Sequence, residues 1–258
     1  MHTEVPMLSD LSLTAAVLAA GAILIGSTLQ RLSGTGVGLV VTPVLSLILG
    51  PVAGVLMTNA TTTVSGFTIM LSVRNRIQWR KAAVIIATAL PGAVVGALLV
   101  LMIPAAWLQI IIGSLVLLAL ILTVSTPRLP RAADRTTLPL AGLVGGVLNT
   151  AAGVAAPAMV IAARLTRWDQ RAFGATLQPI FMFMGLFSVI TKSVMGAGVV
   201  DLPPWWVLPV VVALVLAGVG IGTALETKVP PLRARTLALI IAGAGGVAAV
   251  VKGIMTLV

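Results

Sequence analysis

Ten stretches of this chain, each at least ten residues long, carry no more than two charges apiece, and several exceed 20 residues. A segment of about 20 apolar residues is what an α-helix needs to cross a hydrocarbon core of about 30 Å. Inside that core no water satisfies a bare N–H or C=O, so only helices and closed barrels span it. A barrel strand alternates apolar and polar positions. These stretches are continuous, so the expectation is an all-α integral membrane protein. Composition agrees. The chain is 59% hydrophobic and 9% charged, whereas a soluble domain is roughly 45–50% apolar and about 25% charged. A soluble enzyme is excluded first.

The apolar stretches are 11–32, 39–49, 52–73, 79–103, 105–124, 138–152, 155–165, 173–195, 205–225 and 235–257. About eight are long helices and two, 39–49 and 155–165, are short. Eleven helical residues rise about 16 Å, roughly half a bilayer core. Each short stretch follows a glycine break, Ser33–Gly38 in one case and Gly153 in the other. Each therefore reads as a half-helix or the return arm of a hairpin. The whole chain forms one transmembrane domain. Non-helical backbone at membrane depth is tolerated only where protein buries it or water reaches it.

The order long, break, short, long, long, long occurs twice, at about 11–124 and about 138–257, joined by a polar linker at about 125–137. An offset of 126 residues lays Trp79 on Trp205, Gly92 on Gly218, Gly96 on Gly222 and Pro104 on Pro230. The net charge of +10 is not spread evenly, because 13 of the 16 Lys and Arg lie in four loops. Those loops hold Arg74 to Lys81, Arg128 to Arg135, Arg164 to Arg171, and Lys228 to Arg235. Such loops face the cytoplasm, which accounts for the charge without nucleic acid. One path satisfies them all. The N-terminus is outside, and equivalent loops of the two units face opposite sides. This is the pattern of two inverted-topology repeats, an architecture of secondary transporters whose sites lie between broken helices. The N-terminal tail lacks the basic region of a signal peptide, so the first apolar stretch reads as a retained span.

The run Gly34-Thr35-Gly36-Val37-Gly38-Leu39-Val40-Val41-Thr42-Pro43 resembles the glycine-rich first-helix break and following proline of the TauE/SafE family of membrane transporters. Asn149-Thr150-Ala151-Ala152-Gly153-Val154-Ala155-Ala156-Pro157 resembles that family's second copy, with one glycine where the family tends to have more. The loop Arg74 to Arg80 is similar to the family's basic connection, and the likeness covers nearly the whole chain. The resemblance implies export or uptake of sulfite, sulfonates or other small organic anions at the cell (inner) membrane.

Candidate substrate-binding residues follow from the breaks and from polar groups at membrane depth. Gly34, Gly36, Gly38 and Gly153 let backbone N–H groups face a cavity, with the half-helix N-termini aimed at an anion. Asn59, Thr62, Asn149 and Gln178 offer uncharged donors; their other reading is hydrogen bonding between helices. Arg31 and Lys192 are cations near or within spans, with no carboxylate beside them in sequence. Intramembrane charge is costly and points to function by default, with snorkelling as the alternative. Lys252 belongs to the interface. Gly92, Gly96, Gly218 and Gly222 suit helix contact. Trp79, Trp107, Trp168, Trp205 and Trp206 suit an interfacial belt.

Absences narrow the chemistry. The chain has no cysteine, and its one histidine, His2, sits in the N-terminal tail. No Asp or Glu falls in mid-span and no P-loop motif occurs. The expectation is a non-enzyme without metal or cofactor. It works on a small anion, in a lipid bilayer, without nucleic acid, and with homo-oligomerisation left open. A passive anion channel or a lipid-phosphate flippase is the competing reading.

Overall fold

A computed structural model of the chain describes residues 12–34, 37–125, 129–197 and 206–257. Among them are ten α-helices and no strand. In chain order they are α1 (Leu13–Ser33), α2 (Gly38–Leu49), α3 (Pro51–Val73), α4 (Trp79–Met102), α5 (Ala105–Val124), α6 (Asp134–Ala152), α7 (Ala156–Leu165), α8 (Gln170–Met195), α9 (Val207–Leu225) and α10 (Pro231–Leu257). A 3-10 turn, Arg74–Arg76, follows α3.

Helices α6, α8 and α10 begin before their apolar stretches, and polar residues stabilise several helix starts. The Asp169 carboxylate accepts the Ala172 amide at 2.9 Å, so α8 starts three residues before the expected Phe173. Asp134 sits in the first turn of α6, where a negative charge favours the helix dipole. Ser12 caps α1 through the Ala15 amide at 3.2 Å.

Six helices, α1, α4, α5, α8, α9 and α10, are long and apolar enough to cross a membrane. Helices α3 and α6 have 23 and 19 residues but are diluted by polar side chains. Those of α3 turn inward. Thr58, Thr61, Thr62 and Thr63 each donate to the carbonyl four residues back at 2.8 Å. Their hydroxyls need no second helix.

Glycines set the helix crossings, as small residues do where backbones approach in membranes. Gly92 and Gly96 of α4 receive Leu143, Val147 and Thr150 of α6. Gly218 and Gly222 of α9 receive Leu24, Thr28 and Arg31 of α1. Gly66 of α3 lies against Gln178 and Met182 of α8, while Gly185 of α8 lies against Asn59 and Thr63 of α3. The α3–α8 pair forms the buried centre.

Apart from Lys192 and Lys252, the described basic residues gather at one end of the bundle. The Arg164 guanidinium donates to the Leu122 and Ser125 carbonyls, and Arg235 to the Thr123 carbonyl at 3.1 Å. Lys81 pairs with Asp134 at 2.8 Å and stands 4.6 Å from the Trp168 ring centre. Trp168 departs from the expected belt. It is buried, 5.5 Å from the Phe173 ring, because α8 folds back over it. Trp79, Trp107 and Trp206 are about half exposed. The tail with His2, and Arg128, Asp201 and Trp205, lie outside the described residues.

Candidate functional site

The two breaks share one backbone geometry. Helix α1 ends on Gly34 at φ 68°, ψ 2°, and α6 ends on Gly153 at φ 68°, ψ 12°. This left-handed conformation costs any L side chain, and glycine adopts it freely. The breaks also touch. The Gly38 backbone packs so tightly on the Gly153 carbonyl that no Cβ fits between them. The Thr42 hydroxyl donates to the same carbonyl at 3.2 Å.

Two pairs of buried amides flank this contact. Toward the basic end, Gln30 Nε2 donates to Gln178 Oε1 at 3.1 Å. Toward the opposite end, Asn149 Nδ2 donates to Asn59 Oδ1 at 2.8 Å, and Asn59 Nδ2 donates to Ser188 Oγ at 2.7 Å and to the Asn149 carbonyl at 3.2 Å. The register of α3 against α8 sets the pairs about two helical turns, or ~10 Å, apart. Asn149 lies 119 positions after Gln30, Gly153 119 after Gly34, and Gln178 119 after Asn59. The pairs therefore occupy matching places in the two halves.

Between them is a void of about 20 Å³, lined by Gly38, Leu39, Thr62, Asn149, Gly153, Val154, Ala155, Ala156 and Phe181. That is room for one water. The side-chain amides are committed to each other, and the Thr62 hydroxyl to its own helix. The donors left for an anion are backbone N–H groups at the very starts of α2 and α7; the Val40 amide already donates to the Val37 carbonyl at 3.1 Å, and Pro157 has no N–H to offer. Both helix dipoles place partial positive charge there.

A cavity of about 370 Å³ leads from this void to the basic end. Leu39, Ala156 and Phe181 belong to both spaces. Its walls hold Arg31, Arg76, Arg171 and Arg235 and no carboxylate, together with Gln30, Gln178 and Gly34. Field lines focus in a low-dielectric cleft lined by one sign of charge.

The candidates from the sequence divide as follows. Gly38, Thr62, Asn149 and Gly153 line the void, and Gly34, Arg31 and Gln178 line the cavity. Asn59 is fully buried behind Asn149. Gly36 lies outside the described residues. Arg31 has the partner that its sequence neighbourhood lacked. It grips Glu226, 195 residues away, at 2.7 and 3.3 Å, and the Thr223 hydroxyl at 3.0 Å. Lys192 lines neither space. It is 1% exposed, on the far side of the Asn59–Asn149 pair. Lys252 donates to the Leu47 carbonyl at 2.8 Å. Gln30, Phe181, Arg76, Arg171 and Arg235 were not singled out from sequence. Gln30 could have been, since it precedes Gly34 by the four residues that separate Asn149 from Gly153. Among the described residues no group of three His, Cys, Asp or Glu could hold a metal.

Residues 18–249 match the family model described as Sulfite exporter TauE/SafE. No curated protein and no solved structure matches the chain.

Proposed function

Because this chain belongs to the sulfite exporter TauE/SafE family, we propose that it is a secondary carrier moving sulfite or a related small organic anion out of the cell. The anion binds at the midplane, where the two broken helices meet, and reaches it from alternate sides. The observation that carries this reading is the arginine-lined cavity, which ends on a void walled by the first turns of two half-helices.

The bundle is built from two inverted repeats related by a pseudo-two-fold axis in the membrane plane. Paired contacts support this. Gly96 of α4 meets Val147 and Thr150 of α6, while Gly222 of α9 meets Thr28 and Arg31 of α1. Those partners are again 119 positions apart. Gly66 meets Gln178 and Gly185 meets Asn59, which is the reciprocity a two-fold axis requires. Helices α3 and α6 cross the membrane as well, with their polar faces turned to the interior.

The basic end faces the cytoplasm, the N-terminus is outside, and the cavity is the cytoplasmic vestibule of an inward-facing state. Its arginines concentrate anions from the cytoplasm. The void is too small for an anion of four heavy atoms, so the two breaks part when substrate enters. Backbone N–H donors then replace part of its hydration shell, without which burial of the charge is prohibitive.

The test is radiolabelled sulfite flux in proteoliposomes, with organosulfonates, carboxylates and phosphate as competitors. Saturable sulfite flux inhibited by small sulfonates is expected. Flux of phosphate or phospholipid in preference to sulfite overturns the assignment.

A further inference from the structure

Lys192 is one of the largest fully buried side chains in the protein, and its Nζ has no hydrogen-bond partner among the described residues. It lies one helical turn beyond Ser188, on the face of α8 that meets α3. The helices packed on α8 are α3, α4 and α6. Helix α3 has no charged residue, and the charges on α4 and α6 are Arg80, Lys81, Asp134 and Arg135. All four sit at the basic end, as do Arg74 and Arg76 after α3. None faces Lys192. Asp201 lies outside the described residues. An ionisable side chain kept within a span without a counter-charge is costly and marks a functional group by default.

The matching positions of the two halves explain why such a group is kept. Val73 lines the vestibule, and the residue 119 positions later is Lys192. The same offset takes Leu32 to Ala151, Arg171 to Val52 and Gly174 to Val55, from four vestibule-lining residues in all. In this structure the three matching positions are packed against α5, Val55 and Ala151 buried and Val52 partly so. Val52 and Ala151 pack with Leu108 of α5, and Val55 packs with Ile112 of α5. The seal has a polar fault. Gln109, between those two α5 residues, is buried with its Oε1 unpartnered among the described residues.

We propose that Lys192 is the anion-binding residue of a second, outward-facing vestibule, closed here by α5. When the seal opens, the Lys192 ammonium becomes the one charge on its described walls. It draws the anion off the midplane site toward the outside. The inference rests on the inverted-repeat carrier proposed above. It assigns the outer half-site to a small anion held by a single ammonium, in contrast to the four arginines inside.

Lys192→Met and Lys192→Arg test it by sulfite affinity measured from each side, in right-side-out and inside-out vesicles. The expected result is a KM for external sulfite raised at least tenfold by Lys192→Met and restored by Lys192→Arg. The KM from the vestibule side should stay within about threefold. An equal effect on both sides, or none, overturns the proposal and leaves Lys192 a structural group. The chain contains no cysteine, so Val55→Cys and Ala151→Cys give an independent reading. A membrane-impermeant thiol reagent applied outside should label both. If neither is labelled, with or without sulfite, no outer vestibule opens and the proposal fails. If both are labelled but the wild-type protein carries no anion, the outer vestibule stands and the transport assignment is what fails.

Discussion

Replacing Gly153 by alanine adds two separate costs at the contact between the breaks. The first is conformational: an alanine at φ 68° pays about 1–2 kcal/mol for the left-handed region. The second is steric. A Cβ would lie 2.6 Å from the Thr42 Oγ1 and 3.0 Å from its Cγ2, where ordinary contact begins at 3.4 Å. Overpacking of this kind costs about 1–3 kcal/mol. The lower bound of the sum, about 2 kcal/mol, depopulates the state in which the breaks touch by roughly 30-fold. Sulfite flux in proteoliposomes should fall by at least that factor if the cycle passes through this state. Thr42→Ala removes the obstructing side chain but not the backbone cost. In the double variant Gly153→Ala/Thr42→Ala, the flux deficit should shrink to roughly 5- to 30-fold. A thermal melt in detergent separates packing from mechanism. If Gly153→Ala melts earlier yet transports at the wild-type rate, every state bears the strain equally and the break serves packing alone. A flux deficit unrelieved by Thr42→Ala would mean that the Thr42 side chain does not obstruct the added Cβ.

Gln178→Leu strands the buried Gln30 amide and should destabilise the protein by about 1–3 kcal/mol, whereas Gln30→Leu/Gln178→Leu should melt close to wild type while still transporting poorly. Arg76→Gln and Arg171→Gln should each raise the KM on the vestibule side several-fold, and added salt should narrow the gap to wild type, since screening acts over about 8 Å at 0.15 M. Arg31→Gln leaves the half-exposed Glu226 carboxylate unpaired beside the vestibule and should raise that KM, whereas Glu226→Gln frees the guanidinium and should lower it. Single cysteines at Asn75, Ala132 and Thr227 should label only from the cytoplasm, and external labelling of Asn75→Cys in intact cells would sink the orientation.

The breaks were legible in the sequence because glycines interrupt long apolar runs and short runs follow them. The helices were legible for the same reason, to within a few residues where caps such as Asp169 extend them into polar loops. The amide pairs were not legible as pairs. Asn59, Asn149 and Gln178 stood out as polar residues at membrane depth, but their pairing depends on an offset of 119. The glycines and prolines of the later helices align at 126 instead. Nothing near Arg31 in sequence hints at Glu226, since α1 meets α9 only in the folded bundle. Trp168 misled because tryptophan beside basic residues fits an interfacial belt equally well. Only the return of α8 buries it.

A single midplane site exposed alternately to the two sides has a distinctive signature in counterflow. Proteoliposomes are preloaded with unlabelled sulfite and diluted into a trace of labelled sulfite. A site that must reorient exchanges fastest with substrate on both sides, so preloading should drive transient accumulation of label above its equilibrium level. The accumulation should vanish when the lumen holds only a non-competing anion. Label that equilibrates at the same rate whatever the lumen contains, in proportion to its external concentration, would mean an open pore and would contradict the alternating-access account.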